Sequence, residues 1–358
     1  MKKAWKIIGC VLLALVLVIL GYVAYVFIDY HRIDDNLTLT AEGTASAAAA
    51  QAGQAYTVAS YNIGFGAYEA DYSFFMDGGT ESWAWSKERL DQNLANIADV
   101  LKNLHADFYF VEEVDAGSTR SYHRDEAALL RQALTGYSSV WGQNYDSPFL
   151  FWPLTQPHGA SVSGLMTFSS VPIASSLRRS LPIEQSVMKL VDLDRCYTVS
   201  RVPVDNGKEL VLYAVHLSAY TSDGTIAIEQ MEMLLADMQS EYEKGNYCVC
   251  GGDFNKDLLG NPEEIFGNSA GEYTWAQPLP EELFQGKNLT LVPPLDTENP
   301  VPSCRNADAP YHEGQYVVTV DGFLVSDNVS VQQATVIDTG FAYSDHNPVT
   351  MTFMLRPQ

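Results

Sequence analysis

Tyr247–Asn255 reads YCVCGGDFN, and Ser344–Val349 reads SDHNPV. The first is a short apolar run that stops at Gly-Gly, so it reads as a strand carrying Asp253 and Asn255 at its C-terminal end. The second sets Ser344, Asp345, His346 and Asn347 just ahead of a last apolar run, Val349–Leu355. Both stretches put polar groups at the ends of apolar strands, where ligands commonly bind in α/β folds.

The same arrangement recurs along the chain. Asn62 ends Thr57–Asn62 (TVASYN), and Glu112 and Glu113 fall near the end of Asp107–Val114 (DFYFVEEV). His216 ends Leu210–His216 (LVLYAVH), and Asp321 interrupts Tyr316–Val325 (YVVTVDGFLV). Taken singly, each has an ordinary reading as a turn former, a helix cap or a hydrogen-bonded histidine. Taken together they do not, because Glu113 and Asp321 lie in runs that otherwise read as buried. A buried carboxylate needs a partner or a metal.

Further strands are expected at Leu165–Phe168, Cys196–Pro203 and Val331–Asp338. Helical spacing of apolar residues marks Lys87–Leu104 and Glu229–Tyr242. Strand and helix runs alternate without repeats, so the body reads as one large α/β domain. Residues 257–312 hold eight of the sixteen prolines and read as loops that shape a substrate cleft. The insert Gly66–Ser86 is rich in aromatics, which either line a binding face or pack over the core.

The N-terminus has a separate character. Lys2, Lys3 and Lys6 precede an uncharged stretch from Ile7 to Ile28, and about 20 residues of helix cross a hydrocarbon core. A cleaved signal peptide has a shorter apolar region followed closely by small residues. Here the small residues wait until Thr44–Ala52. The expected organisation is therefore a cytoplasmic tail at 1–6, a transmembrane signal anchor at 7–28, a spacer at 29–55 and a catalytic domain at 56–358. The basic residues place the tail inside, so the domain is expected outside a plasma membrane crossed once.

The chain carries 21 Lys and Arg against 44 Asp and Glu, a formal charge of −23. The first 50 residues hold four of each sign, so the whole excess lies in the body. Nucleic acid is bound largely through Lys and Arg, and a surface this acidic repels it at long range. Nucleic acid is thereby disfavoured as a partner, though a local basic groove is compatible with this total. No protein partner is indicated. Of five cysteines, Cys248 and Cys250 share one strand face, where neighbouring positions rarely bridge. A Cys196–Cys304 disulfide is an option, with buried free thiols the default. Without a CxxC pair a structural zinc site is not expected.

These residues, in this order, resemble the endonuclease/exonuclease/phosphatase superfamily, from about Tyr56 to Leu355. GDFN at Gly252–Asn255 and SDHNPV at Ser344–Val349, about 90 residues apart, carry most of the likeness. Asn62, Glu113, Gly164–Ile173 (GLMTFSSVPI), Val215-His216-Leu217 and Asp321–Leu324 fall on the family's other motifs. Glu112 replaces the usual Gln and adds a charge beside the expected metal, and Val215 replaces the usual Thr.

The resemblance implies a four-layer α/β sandwich, with two packed, mainly antiparallel sheets flanked by helices. It also implies a Mg²⁺-dependent phosphoester hydrolase, with Mn²⁺ as an alternative ion. Glu113 is then the main metal ligand, with Asn62 assisting and Asp345 reaching the metal or a second site. Asp253 or His346 deprotonates the attacking water, and Asp321 orients His346. Asn255 fixes the attacking water or a phosphate oxygen, and His216 donates to a phosphate oxygen or protonates the leaving group. Arg120, Tyr122 and His123, on the loop after Glu113, are further phosphate candidates or an ordinary surface loop. Three readings follow: a membrane-surface hydrolase of a lipid head group or small phosphoester, an extracellular nuclease, and a catalytically inactive binding domain.

Overall fold

The computed structural model describes residues 2–219, 225–267 and 275–358. The chain begins with α1 (Lys2–Asp29), then β1 (Leu37–Leu39), β2 (Glu42–Gly43) and β3 (Ala55–Asn62). Next come α2 (Lys87–Leu104), β4 (Phe108–Asp115), α3 (Glu126–Ala133), β5 (Ser138–Asp146), β6 (Val162–Ser169) and β7 (Ser175–Ser180). β8 (Cys196–Pro203) and β9 (Glu209–His216) lead into α4 (Thr225–Glu243) and β10 (Tyr247–Asp253). α5 (Pro262–Phe266) precedes β11 (Leu289–Val292), β12 (Cys304–Arg305), β13 (Val317–Val318), β14 (Asp321–Ser326), β15 (Val329–Val336) and β16 (Val349–Leu355).

Two seven-stranded sheets form the body. One has the order β1-β7-β8-β9-β10-β14-β11, the other β15-β16-β3-β4-β6-β5-β2. Both are mixed. Each contains one parallel pair, β9–β10 and β3–β4, whose crossovers run through α4 and α2. A parallel pair cannot be joined by a tight turn, so the crossover helix is obligatory and covers the outer face. Three apolar clusters separate the layers. Phe108, Phe110, Leu212, Val249, Phe323 and Phe353 fill the space between the sheets. Ile97, Leu101 and Tyr109 pack α2 onto one sheet. Met231, Leu235 and Met238 pack α4 onto the other. The four-layer expectation holds.

Local chemistry explains the boundaries. α2 starts at Ser86, whose side chain accepts from the Arg89 N–H at 3.2 Å, and ends at His105 in the left-handed conformation. The expected strand Tyr316–Val325 is two strands, because Val320 N–H and Asp321 N–H both turn to the Ser303 hydroxyl. β5, β7, β11 and α3 were not expected from the sequence. The 29–55 segment, read as a spacer, is not one. β1 pairs with β7 and β2 with β5, so it lies along the edges of both sheets. Cys196, Cys248, Cys250 and Cys304 are buried free thiols, with no disulfide between Cys196 and Cys304.

One glycine explains the GGDFN spacing. Gly252 has φ 149°, and a Cβ there would stand 2.0 Å from the Val215 carbonyl oxygen on the neighbouring strand. Gly252→Ala should therefore push β9 and β10 apart just before Asp253, at a cost of about 1–3 kcal/mol. Denaturant unfolding of the full-length chain in detergent measures this. A midpoint equal to that of the parent would contradict the packing.

Candidate active site

The two sheets present their functional residues at one end, through strand register. Asp253, the last residue of β10, is paired with His216 of β9 on one side and with Asp321 of β14 on the other. Residues paired across neighbouring strands share a face, so all three side chains stand on one rung. In the other sheet Asn62 is paired with Glu112. The register of β4 with β6 then shifts between Val111 and Val114, and Glu113 takes φ 57°. Such a bulge re-aims a side chain. It separates Glu113, which lines the cleft, from Glu112, which is fully buried.

Hydrogen bonds tie the two sheets together. The Asn62 amide group donates to Glu113 Oε1 and to Asp253 Oδ2, each at 3.2 Å, while its carbonyl oxygen accepts from Gly64 N–H at 3.0 Å. Ser344 Oγ donates to the Asn62 carbonyl at 2.8 Å, which fixes the SDHN segment above β3. His346 Nδ1 lies 2.8 Å from Asp321 Oδ2, and its Nε2 is 3.7 Å from Asp253 Oδ2. His216 Nε2 is 3.6 Å from the same Asp253 oxygen. Ser303 Oγ donates to Asp321 Oδ2 at 2.7 Å. Asn62, Glu113, His216, Asp253, Asn255, Asp321, Asp345 and His346 thus meet at one end of the sandwich. All but Asn62 and Asp321 line a single cleft of about 1370 Å³.

Burial sets the charges. It raises the Asp253 carboxyl well above the ordinary aspartate range; His346 opposes this and Asp321 adds to it. Burial alone would lower His346, but the Asp321 carboxylate outweighs it, so the ring holds its proton. His216 is driven far down by burial, then by Arg195 and His346, and stays neutral. Glu112 is driven far up, first by burial and then by Asp321 and Asp253. It accepts from Ser60 Oγ at 3.1 Å. Burial thus works against the charge expected at this position.

Several expected contacts are redirected. Arg120 lines the cleft, but its Nε and Nη2 grip Asp115 at 3.0 and 2.8 Å, and its guanidinium sits 4.0 Å over the Phe65 ring. Those donors are committed to the fold and not to phosphate. Tyr122 donates to the Ala84 carbonyl and His123 is exposed against Gly117, so neither enters the cleft. Asn255 spends one amide hydrogen on the Leu217 carbonyl at 2.8 Å, and its N–H caps Asp253 Oδ1 at 2.8 Å. The insert is divided. Phe65, Tyr68, Tyr72 and Phe74 pack together, while Tyr68 and Phe74 also line the cleft.

Two cations in the cleft escaped sequence reading. Lys256 is buried with its ammonium pKa lowered by that burial, and no carboxylate is bonded to it among the described residues. Among the described residues Arg195 is hydrogen-bonded to the His216 carbonyl, at 3.4 Å, and to no carboxylate. In a chain this acidic, unpaired cations beside the reacting groups suit an anionic substrate. Lys256 directly after GDFN was the available signal. Ser303 gave none.

The donor set also fits a hard divalent cation. Glu113 and Asp345 bring carboxylates to the same cleft, and among the described residues no basic side chain is hydrogen-bonded to either. Few carboxylates with room for water is the coordination Mg²⁺ favours. Asp253, Asp321 and His346 also group their atoms within 4.8 Å, but Asp321 Oδ2 there is already held by His346 and Ser303.

The fold and this site define a phosphoester hydrolase class. The family model described as "Endonuclease/Exonuclease/phosphatase family" matches residues 59–346, and the chain belongs to that family, whose members hydrolyse phosphoesters, generally with divalent metals. No curated protein sequence matches. Among solved structures, an endonuclease/exonuclease/phosphatase from Beutenbergia cavernae DSM 12333 has a TM-score of 0.56 at 18% identity, covering 85% of this chain and 72% of that one. ANGEL2, a 2′,3′-cyclic phosphatase, has a TM-score of 0.56 at 16% identity, covering 90% and 99%. The human Nocturnin catalytic domain has a TM-score of 0.52 at 17% identity, covering 88% and 97%. At these identities the likeness is one of fold.

Asp321→Asn should lower kcat on a chromogenic phosphodiester by about 10²–10⁴-fold with little change in KM, because it removes the charge that holds His346 protonated and oriented. An unchanged kcat would take His346 and Asp321 out of the chemistry.

Proposed function

We propose that this chain is a membrane-anchored, extracytoplasmic, Mg²⁺-dependent hydrolase of a phosphoester in a lipid head group or a small phosphoester. The observation that carries the reading is the meeting of Asn62, Glu113, His216, Asp253 and His346 at one end of the sandwich. The remaining parts rest on α1, a 28-residue helix long and apolar enough to cross a membrane, with Lys2, Lys3 and Lys6 in its first turns and Asp29, Asp34 and Asp35 at and after its end.

Glu113 and Asp345 would hold the cation, with Asn62 steering Glu113. When bound, Mg²⁺ or Mn²⁺ neutralises charge on the phosphoryl and leaving oxygens. Asp253 is the base. Its raised pKa suits proton removal near neutral pH, whereas the protonated His346 has no lone pair to offer. Water adds to phosphorus as the bond to the leaving oxygen breaks, and its proton passes to Asp253. His346, held by Asp321 and Ser303, presents positive charge to the phosphoryl group. Neutral His216 donates a hydrogen bond to a phosphoryl oxygen. Arg195 and Lys256 hold the anionic remainder of the substrate.

The net charge of −23 weighs against a nucleic-acid polymer. A panel of bis-p-nitrophenyl phosphate, phospholipid vesicles and plasmid DNA, offered to the full-length chain with Mg²⁺, tests this. Turnover of the first two without DNA nicking is expected. Efficient nicking would favour the nuclease, and no turnover with either ion would favour a binding domain. Glu113→Gln should raise the Mg²⁺ concentration for half-maximal rate by about tenfold or more. An unaltered Mg²⁺ titration would remove Glu113 as a ligand.

A further inference from the structure

Outside α1, six large apolar side chains are more than half exposed among the described residues. Phe151, Trp152 and Leu154 lie on the loop between β5 and β6, and Val187 and Met188 on the connection from β7 to β8. The sixth, Met76, lines the cleft, as does Met188. The first loop is flanked by Tyr145 and His158, which line the cleft as well. The exposed apolar surface is thus gathered at the mouth of the active site.

The same loops hold the outer end of α1. Tyr22 Oη donates to the Phe149 carbonyl at 3.1 Å, and Phe149 N–H donates to Tyr25 Oη at 2.9 Å. The Tyr22 and Phe151 rings meet edge to face at 5.0 Å. On the other loop, Lys189 Nζ stands 6.0 Å from the Tyr30 ring. Helix rise then fixes the depth. From Ile7 to Tyr22 a helix climbs only about 23 Å, short of a hydrocarbon core of about 30 Å. A span beginning near Ile7 must therefore run past Tyr22, so whatever is bonded to Tyr22 and Tyr25 lies at the outer boundary of the bilayer.

Charge agrees. Ser147–His158 (SPFLFWPLTQPH) contains no Asp, Glu, Lys or Arg, and Gln185–Val191 (QSVMKLV) has Lys189 alone, in a chain of net charge −23. A bilayer surface is where exposed Trp, Phe and Leu beside a basic residue are stable.

Resting on the reading of α1 as a membrane span and on the proposed hydrolase, we propose that these two loops enter the outer leaflet beside α1. The cleft then opens onto the lipid head groups, and its substrate is a membrane phospholipid drawn from that leaflet.

Full-length protein in nanodiscs of phosphatidylcholine and phosphatidylglycerol tests the seating. Nitroxide labels are placed by Trp152→Cys, Leu154→Cys and Val187→Cys in a Cys10→Ser background, with Gln54→Cys as a control. Gln54 is exposed, just before the far end of β3 from Asn62. The three loop labels should be open to oxygen and shielded from a water-soluble nickel complex, and the Gln54 label the reverse. Nickel access at all four sites overturns the proposal. In parallel, the double variant Trp152→Ser, Leu154→Ser should lose about tenfold in kcat/KM on phospholipid vesicles while its rate on bis-p-nitrophenyl phosphate is unchanged. Equal rates of parent and variant on vesicles, or equal losses on both substrates, contradict it. Lipid-embedded loop labels on a chain that hydrolyses no phosphoester would uphold the seating and end the hydrolase reading.

Discussion

Asp253 stands on one rung of the sheet with His216 on the parallel strand beside it and Asp321 on the antiparallel strand beyond. Strands lie about 4.8 Å apart, so two carboxylates and an imidazole are brought together with no freedom to separate. The mutual repulsion and burial of the two carboxylates are tolerable because each is answered, while His216 Nδ1 has no hydrogen-bond partner among the described residues. His346 meets Asp321, Ser303 donates to the same oxygen, and Asn62 crosses from the other sheet to Asp253. The sandwich exists at this spacing because Phe110 packs against Gly251, where a Cβ would stand 2.7 Å from the ring. Close approach of the sheets lets one asparagine bridge them.

The second sheet contributes through an irregularity. Without the shift in β4, Glu112 and Glu113 would simply alternate between the two faces. With it, Glu113 faces the cleft in a left-handed backbone conformation and Glu112 sinks beneath. Strain of this kind is typically concentrated at functional sites, and Asn255, with φ 50°, is a second example.

Much of this was legible in the sequence. Polar residues ending apolar strands marked Asn62, His216 and Asp253, and the polar run just ahead of the last strand marked His346, because strand ends are where buried backbone gives way to a cleft. Less was legible where side chains serve the backbone. β7 is the polar run SSLRRS, and its Arg178 is fully buried because it donates to the Gln143 and Asp194 carbonyls at 2.6 and 2.8 Å. No periodicity signals that. β1 and β2 span three and two residues, too short for a pattern, so a segment bound to both sheets read as a spacer. Arg120 is held by Asp115, five residues earlier, a pairing that the loop sequence does not signal. The raised pKa of Glu112 comes first from its burial and then from Asp321 and Asp253, which are remote in sequence.

The account comes down to a cation held by Glu113 within reach of the Asp253–His346 pair. Anomalous diffraction from Mn²⁺-soaked crystals of the full-length chain measures that position directly. The expected result is a peak in direct contact with a Glu113 carboxylate oxygen, inside the cleft that Asp253 and His346 line. A peak centred on Asp253, Asp321 and His346 with Glu113 uncoordinated, or no peak in the cleft at saturating Mn²⁺, would contradict it.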